Sequence, residues 1–452
     1  MDLDLLSYDK VSVAIERKHY GEARGICEDM LEAMGDNPQV FAMLADIHHC
    51  KGEWLEAVKF YDKAIAIDQR QGVWWWALSK SHFYLHNYTG CLVCGDIAQQ
   101  LDVVDVDGLV NMAIAAANIS QDDCSQRSEA LILRALAHDW TNPRAHMAMG
   151  ELLLHRREYE PGWREYAWRK KVFTGIDPRP CSAEWAGQRL RNGTLIVMTE
   201  GGFGDCIQFS RFIPYVNEQC SDVVIASCPE ITKMFVRAFP KNRVISQFRE
   251  FPPHAMHVGM IDLPMIYGTK LLPPPTDFKV EDRRVKARRD MFFYTEPADC
   301  LKVGICWHGR KEHRADARRS MQVRQILRLL ASPKCAFYSL QLDQTEEETA
   351  ALGADVKLLT GVRGWQDTAE HILNLDLVIT VDTAVGHLAA TLGKPTWIML
   401  AKPSEWRWGM QGLHSEWYPT ARLWRQPTPG DWESVIRDVS EALTRMASIP
   451  AA

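Results

Sequence analysis

No uninterrupted apolar run in this 452-residue chain reaches the ~18 residues that a membrane-spanning helix needs. No export leader is expected either. The first ten residues, MDLDLLSYDK, are acidic and carry neither a basic nor an apolar segment. The two absences together make a cytoplasmic chain with no membrane span the expectation. Basic charge is scarce at the front. The net charge is −6, and most of the acidic excess lies in the first 170 residues. No basic face for duplex DNA stands out, so no nucleic-acid partner is expected. An acidic front suits protein partners, although most acidic surfaces are simply solvated. The twelve cysteines form no disulfide framework and read as reduced thiols. Cys91 and Cys94 make a lone CxxC inside a helical pattern. Zinc would need a second ligand pair at suitable spacing.

Strand alternation is also absent from residues 1–172, where helical pairs stand instead. In the stretch from Phe41 to Ile67, Leu44, Ala45, Gly52, Trp54, Ala57, Tyr61 and Ala64 fall at the packing positions of a 34-residue helix–turn–helix repeat. Small residues let helices approach, and aromatics fill the gap to the next helix. The pattern recurs. Ala23, Cys27 and Met30 mark one second helix; Leu78, Ser79 and Tyr88 mark a degraded unit. Ala130 and Ala137, followed by Pro143, mark another second helix, and Met149, Gly150, Tyr159, Gly162 and Tyr166 the last. Four or five helical pairs are expected. Such repeats stack into a solenoid that binds protein surfaces; extending a neighbouring core or self-association is the alternative. Trp74, Trp75 and Trp76 cannot all face one helix side, so either one is exposed or all pack between elements. Residues 173–193, with Pro178, Pro180, Gly187 and Gly193, read as a connector.

The length leaves room for roughly two further compact units. Thr194–Thr199 is a short apolar, β-branched run, followed by Glu200-Gly201-Gly202-Phe203-Gly204-Asp205 and a helical pattern. Strand, glycine turn and helix open a nucleotide-type lobe over residues 194–280. No Gly-Lys-Ser/Thr follows, which excludes a Walker A loop. Further strands are expected at Asp222–Ala226, Arg243–Gln247 and His257–Ile261, with a helix over Glu230–Phe239. Residues 281–300, rich in Arg, form an interlobe segment. A second lobe over 301–430 takes strands at Val303–Trp307, Cys335–Leu340, Val356–Leu359, Leu377–Val381 and Thr396–Leu400. Alternating strands and helices imply parallel sheets buried on both faces. Residues 431–452 are expected to form a helix that packs back on the first lobe.

Two loops carry site signals. Asp382-Thr383-Ala384-Val385-Gly386-His387 follows a very apolar strand and opens a helix. Open α/β sheets bind ligands at such strand ends, and a helix N-terminus can cradle a pyrophosphate. His387 is as readily a buried, satisfied histidine as a ligand contact. Arg314, Arg318 and Arg319 lie on another strand-end loop. Their forks suit phosphate oxygens, though arginines on a loop are commonly just exposed.

Taken together, six stretches resemble a known family. They are GGFGDCIQFSRF (Gly201–Phe212), Trp307–Ser320, Ser339–Gln341, VDTAVGHLAATLGKP (Val381–Pro395), EWRWG (Glu405–Gly409) and Trp417–Trp432. The chain resembles bacterial tetratricopeptide-repeat (TPR) proteins fused to a glycosyltransferase-family-9-like region related to lipopolysaccharide heptosyltransferases. It is similar in plan to flagellin glycosyltransferases. The resemblance covers about residues 150–445. It implies a TPR solenoid followed by a GT-B fold, two Rossmann-like lobes with a cleft between them. It also implies a metal-independent, inverting transferase with no cofactor beyond a nucleotide-sugar co-substrate. The DxD strings Asp2/Asp4 and Asp105/Asp107 lie in the helical part, which agrees.

By the same resemblance, Asp205 is the general base that takes the acceptor hydroxyl's proton; capping the next helix is its rival role. Asp382, Thr383, Ala384, Gly386 and His387 form the donor loop, with Arg319 near the donor phosphates and Gln341 on the nucleotide. Gly201, Gly202 and Gly204 form the glycine loop. Trp307, Trp406 and Trp408 are candidates to line the pocket, core packing being the alternative. Relatives carry Glu-Gln-Gly-Leu-Gly-Asp at the first turn, so Phe203 is a departure. The front repeats are absent from simple heptosyltransferases, which favours a protein acceptor such as flagellin or another surface protein. The rivals are a non-catalytic TPR scaffold and a nucleotide-sugar epimerase on the same fold. No oligomeric state is assigned.

Overall fold

The computed structural model describes residues 2–119, 124–173, 183–246, 255–268, 272–297, 299–311 and 316–448. Arg314, Pro178, Pro180 and Gln247 lie outside the described residues. The chain divides into two compact units. One is Met1–Leu152 with Trp168–Val172; the other is Leu153–Ala167 with Phe173–Ala452.

The first unit is built of helical pairs. Asp2–Glu16 packs with Tyr20–Met34, Pro38–Cys50 with Trp54–Ile67, Gly72–Tyr84 with Tyr88–Gln100, and Val106–Ile119 with Cys124–His138. Asn37 caps its helix by accepting from the Gln39 and Val40 N–H groups, and Pro38 takes the first helical position. The turns inside the pairs repeat too. Lys18, Gly52 and His86 have φ of 61°, 74° and 57°, one 34-residue period apart. Ala23, Cys27, Leu44, Ala45, Ala57, Tyr61 and Ala64 are buried as the repeat pattern requires. Tyr61 also donates to Asp46 Oδ1 at 2.5 Å.

One expectation needs correction in this region. Ala130 and Ala137 are exposed. The buried stripe of that helix is Ser128, Leu131, Ile132 and Ala135, which share one face at helical spacing and leave Ala130, Leu133 and Ala137 on the other. Of the three tryptophans none is exposed. Trp74 and Trp76 are buried, and the half-buried Trp75 donates to Gln69 O at 3.0 Å. Cys91 and Cys94 are buried, and burial pushes their thiols up to about 11 and about 12. Thiols held in that form make poor nucleophiles and poor ligands.

The second unit contains two parallel sheets. The first has strands β1 (Ala183–Glu184), β2 (Leu190–Met198), β3 (Cys220–Ala226), β4 (Arg243–Ile245) and β5 (Met256–Gly259), in the order β1-β5-β2-β3-β4. The second has β6 (Leu301–Cys306), β7 (Cys335–Ser339), β8 (Val356–Leu358), β9 (Leu377–Val381), β10 (Thr396–Leu400) and β11 (Ala421–Arg425), in the order β11-β10-β9-β6-β7-β8. Every residue of β9 and β10 is buried, as parallel strands covered on both faces must be. Helical repeats followed by two Rossmann-like lobes are the TPR and GT-B plan that the sequence resemblance implied.

One apolar core runs through both lobes. It joins Leu195, Val197, Phe209, Phe212 and Ile225 of the first to Leu388, Ile398, Trp406, Trp408 and Trp417 of the second. Leu154 and Trp163 belong to the same core. The repeat region was expected to end at residue 172, yet the helix Tyr159–Tyr166 is part of the second unit. Trp163 explains this. Its ring packs edge-on against Phe209 and Trp406, at 5.8 and 5.3 Å between centroids.

The C-terminal helix Trp432–Ala447 was expected on the first lobe. It packs on the second instead. Its stripe Trp432, Val435, Ile436, Val439, Ala442 and Leu443 shares a core with Val303, Ile326, Leu329 and Met399. The reason is that the outer face of the second sheet is apolar and needs that cover. Strand β11 was not foreseen, since Arg422 and Arg425 break its apolar pattern. Arg425 instead ties down the loop over residues 404–412, donating to Trp408 O at 2.6 Å and Ser404 Oγ at 3.0 Å. The arginine-rich interlobe helix Asp282–Phe292 buries none of its residues. Arg284 and Arg288 pair with Asp367 and with the buried Glu370. These pairs dock the helix on the second lobe, which speaks against a phosphate role.

Candidate functional site

The site is assembled where β2 and β9 end. After β2 the chain turns through Gly201, whose φ of 72° favours glycine. A Cβ there would lie 2.4 Å from Asp205 Oδ2. That oxygen accepts the Gly202 N–H at 2.7 Å, so Asp205 does cap the helix Phe203–Phe209. Glu200 points the other way, accepting the Ile261 N–H at 3.1 Å beyond β5. Gly204 faces the second lobe. A Cβ on it would meet His387 Cδ2 at 2.8 Å, so glycine lets the two lobes' helices touch. Phe203 packs against Trp365 at 5.2 Å, under Arg310.

After β9, Asp382 and Thr383 lead into the helix Ala384–Thr391. Thr383 Oγ1 lies 2.9 Å from Thr380 Oγ1. His387 is buried, with Nδ1 2.8 Å from the Tyr418 hydroxyl. Burial first, and then the charges of Arg407, Arg211 and Arg319, hold its pKa well below the ordinary value. The ring is therefore neutral at pH 7. Removing its phenol partner with Tyr418→Phe leaves a buried ring nitrogen unpaired. The expected cost is about 1–3 kcal/mol, read by thermal or denaturant unfolding. An unchanged stability would show that the contact contributes nothing.

Several expected site residues have other duties. Gln341 is committed to its own loop. Its Oε1 accepts the backbone N–H groups of Trp307 and His308, both at 3.2 Å, and Nε2 donates to Asp343 at 2.6 Å. It shapes the end of β6. Trp307, Trp406 and Trp408 are buried in the core, so pocket lining gives way to packing. Trp307 donates from Nε1 to Glu348 at 3.0 Å. Arg319 is mostly buried beside Gly309 and lies 3.6 Å from Asp316.

The residue that the sequence reading missed is Arg407. It sits in the short helical turn Trp406–Trp408 and reaches across to the first lobe. One terminal nitrogen pairs with Asp205, the other with Glu405, and Nε donates to Gln208 Oε1 at 2.8 Å. Its guanidinium stacks on Trp406 at 4.3 Å. Burial pushes the Glu405 carboxyl up to about 8 against the pull of Arg407; Asp382 and Asp205 push the same way. The signal was the motif EWRWG itself: a charged pair flanked by tryptophans. Only the fold reveals that the arginine meets Asp205.

No protein-family model matches the sequence. Protein FlbA of Caulobacter vibrioides is 23% identical over 435 residues, which is 87% of this chain and 70% of that protein. Among solved structures, a glycosyl transferase family 9 protein from Veillonella parvula aligns with 57% of this chain and 99% of its own. The TM-score is 0.42 and the identity 9%. YrrB, a TPR protein with an unusual peptide-binding site, aligns with 33% of this chain and 75% of its own. Its TM-score is 0.29 and its identity 13%.

Among the described residues, two carboxylates from opposite lobes thus meet on one arginine. Beside them a helix N-terminus opens with Asp382 and Thr383. Such a site can hold an anion near a carboxylate.

Proposed function

We propose that the chain is a glycosyltransferase that moves a sugar from a nucleotide-sugar donor to a hydroxyl on a protein. The observation that carries this reading is the contact between the helix that holds Asp205, at the end of β2, and the loop Asp382–His387, at the end of β9, made where Gly204 meets His387. Carboxyl ends of parallel strands are where α/β sheets bind ligands. In the reaction the acceptor oxygen bonds to the anomeric carbon and the bond from that carbon to phosphate breaks. The hydroxyl proton passes to Asp205, and the nucleoside diphosphate leaves with the bonding pair. Arg407 and Arg319 supply positive charge for the leaving group, so the chemistry needs no resident metal or cofactor. Neutral His387 carries one N–H and can act as a donor without adding charge. No helix among the described residues is long and apolar enough to cross a membrane. A cytoplasmic transferase that meets its acceptor before export fits this reading.

Thermal unfolding against a panel of nucleotide sugars tests the donor site. Selective binding at a hundredfold excess over Kd stabilises by about 2.7 kcal/mol. A shift with one nucleotide class, lost in Asp382→Ala, is expected. No shift with any donor would favour a scaffold, and sugar conversion without an acceptor would favour an epimerase. The repeats are assigned to acceptor recruitment. A chain lacking residues 1–142 is therefore expected to keep the donor shift but to lose most transfer to its protein acceptor. Normal glycosylation by that fragment would end the recruitment idea.

A further inference from the structure

Asp205 and Glu405 are held in mirrored ways. Each spends one oxygen on a backbone N–H: Asp205 on Gly202 at 2.7 Å, Glu405 on Arg407 itself at 2.9 Å. Each gives the other oxygen to a terminal nitrogen of Arg407. With Nε on Gln208, all three nitrogens of the guanidinium are engaged, and its side chain is 10% exposed. Burial works against the charge of Arg407, but Asp205 and Glu405 outweigh it and strengthen the cation.

This arrangement conflicts with a simple base. Both Asp205 oxygens are occupied, one by the Gly202 N–H and the other by Arg407. An acceptor hydroxyl can reach the outer oxygen only when Arg407 moves to another anion. The surroundings favour one. Arg407, Arg211 and Arg319 all act on His387, at the first turns of the helix that follows Asp382. Arg211 is buried, donates to the Pro273 and Trp417 carbonyls and lies over the Trp417 and Tyr418 rings. Trp408, the residue after Arg407, packs on the His387 ring at 5.0 Å between centroids, so the Arg407 turn stands beside the helix start that can take a phosphate.

We propose that Arg407 is a switch for Asp205. While paired, it silences the carboxylate; a diphosphate arriving at the Asp382–His387 loop takes the arginine over and frees Asp205 as base. Glu405 is the positioning residue that keeps Arg407 between the lobes. Donor arrival and base release then become one event. The idea rests on the donor-loop reading above, and the test separates the two.

Inorganic pyrophosphate is titrated by calorimetry into the full-length protein and into Asp205→Asn, Glu405→Gln, Arg407→Lys, Arg407→Met and the double variant Asp205→Asn with Arg407→Met. Asp205→Asn, which removes the competing carboxylate, should tighten binding about tenfold, the scale of one charge-assisted contact, whereas Glu405→Gln, which loosens Arg407, should weaken it. Arg407→Met and Arg407→Lys should weaken it at least as much, and the lysine variant covers the case in which the methionine variant does not fold. The decisive point is coupling. On the Arg407→Met background, Asp205→Asn should give no further gain. The same gain there would mean simple charge removal and would overturn the switch. Binding indifferent to every substitution overturns the switch but leaves the donor loop standing. Absence of binding in every protein overturns both.

Discussion

Asp205→Asn is expected to slow sugar transfer by about 10²–10⁴-fold, the range that general acid–base catalysis supplies. The substitution is close to isosteric. The amide oxygen can still accept the Gly202 N–H, so the turn and its helix should stand. What disappears is the group that accepts the hydroxyl proton, together with the negative charge facing Arg407. Arg407 keeps Glu405 and Gln208 as partners, so the lobes should remain joined. Donor affinity should therefore hold or rise while transfer collapses. Single-turnover transfer beside nucleotide-sugar binding reads the two apart. A variant that transfers at the full rate would leave Asp205 as a helix cap and nothing more.

Trp163→Ala should cost the second unit about 3–5 kcal/mol, as truncating a buried aromatic does. The side chain is 2% exposed. It fills the space between Phe209, at the end of the Asp205 helix, and Trp406, which carries the Arg407 turn. The loss should appear as a lower melting point for the second unit, with the first unit's transition unmoved. An unchanged second transition would return residues 153–167 to the repeats. Transfer should fall as well, since both elements that hold the site rest on this ring. A fragment begun at residue 173 lacks Trp163 and should be unstable for the same reason.

The repeats and the strands were legible because local signals add up. Ala57, Tyr61 and Ala64 recur at helical spacing, and Leu377–Val381 is apolar throughout because both faces of β9 are covered. The glycine turn was legible for a physical cause: Gly201 lies at positive φ and Gly204 touches the neighbouring helix. Strand β11 was hidden because Arg425 serves a loop and Arg422 lies over the Trp397 and Trp424 rings. The face taken by Cys124–His138 was misjudged because small residues occupy either side of a helix.

The sequence by itself determined the kinds of element, their order, and which strand ends carry glycine, carboxylate and helix start. Those follow from periodicity and turn chemistry, which are properties of neighbours along the chain. Only the tertiary structure decided that Trp163 belongs with the second unit and that the last helix covers the second sheet. It alone brought Arg407 to Asp205, 202 positions away. Contacts at that separation depend on which apolar faces bury one another, and no local pattern encodes that choice.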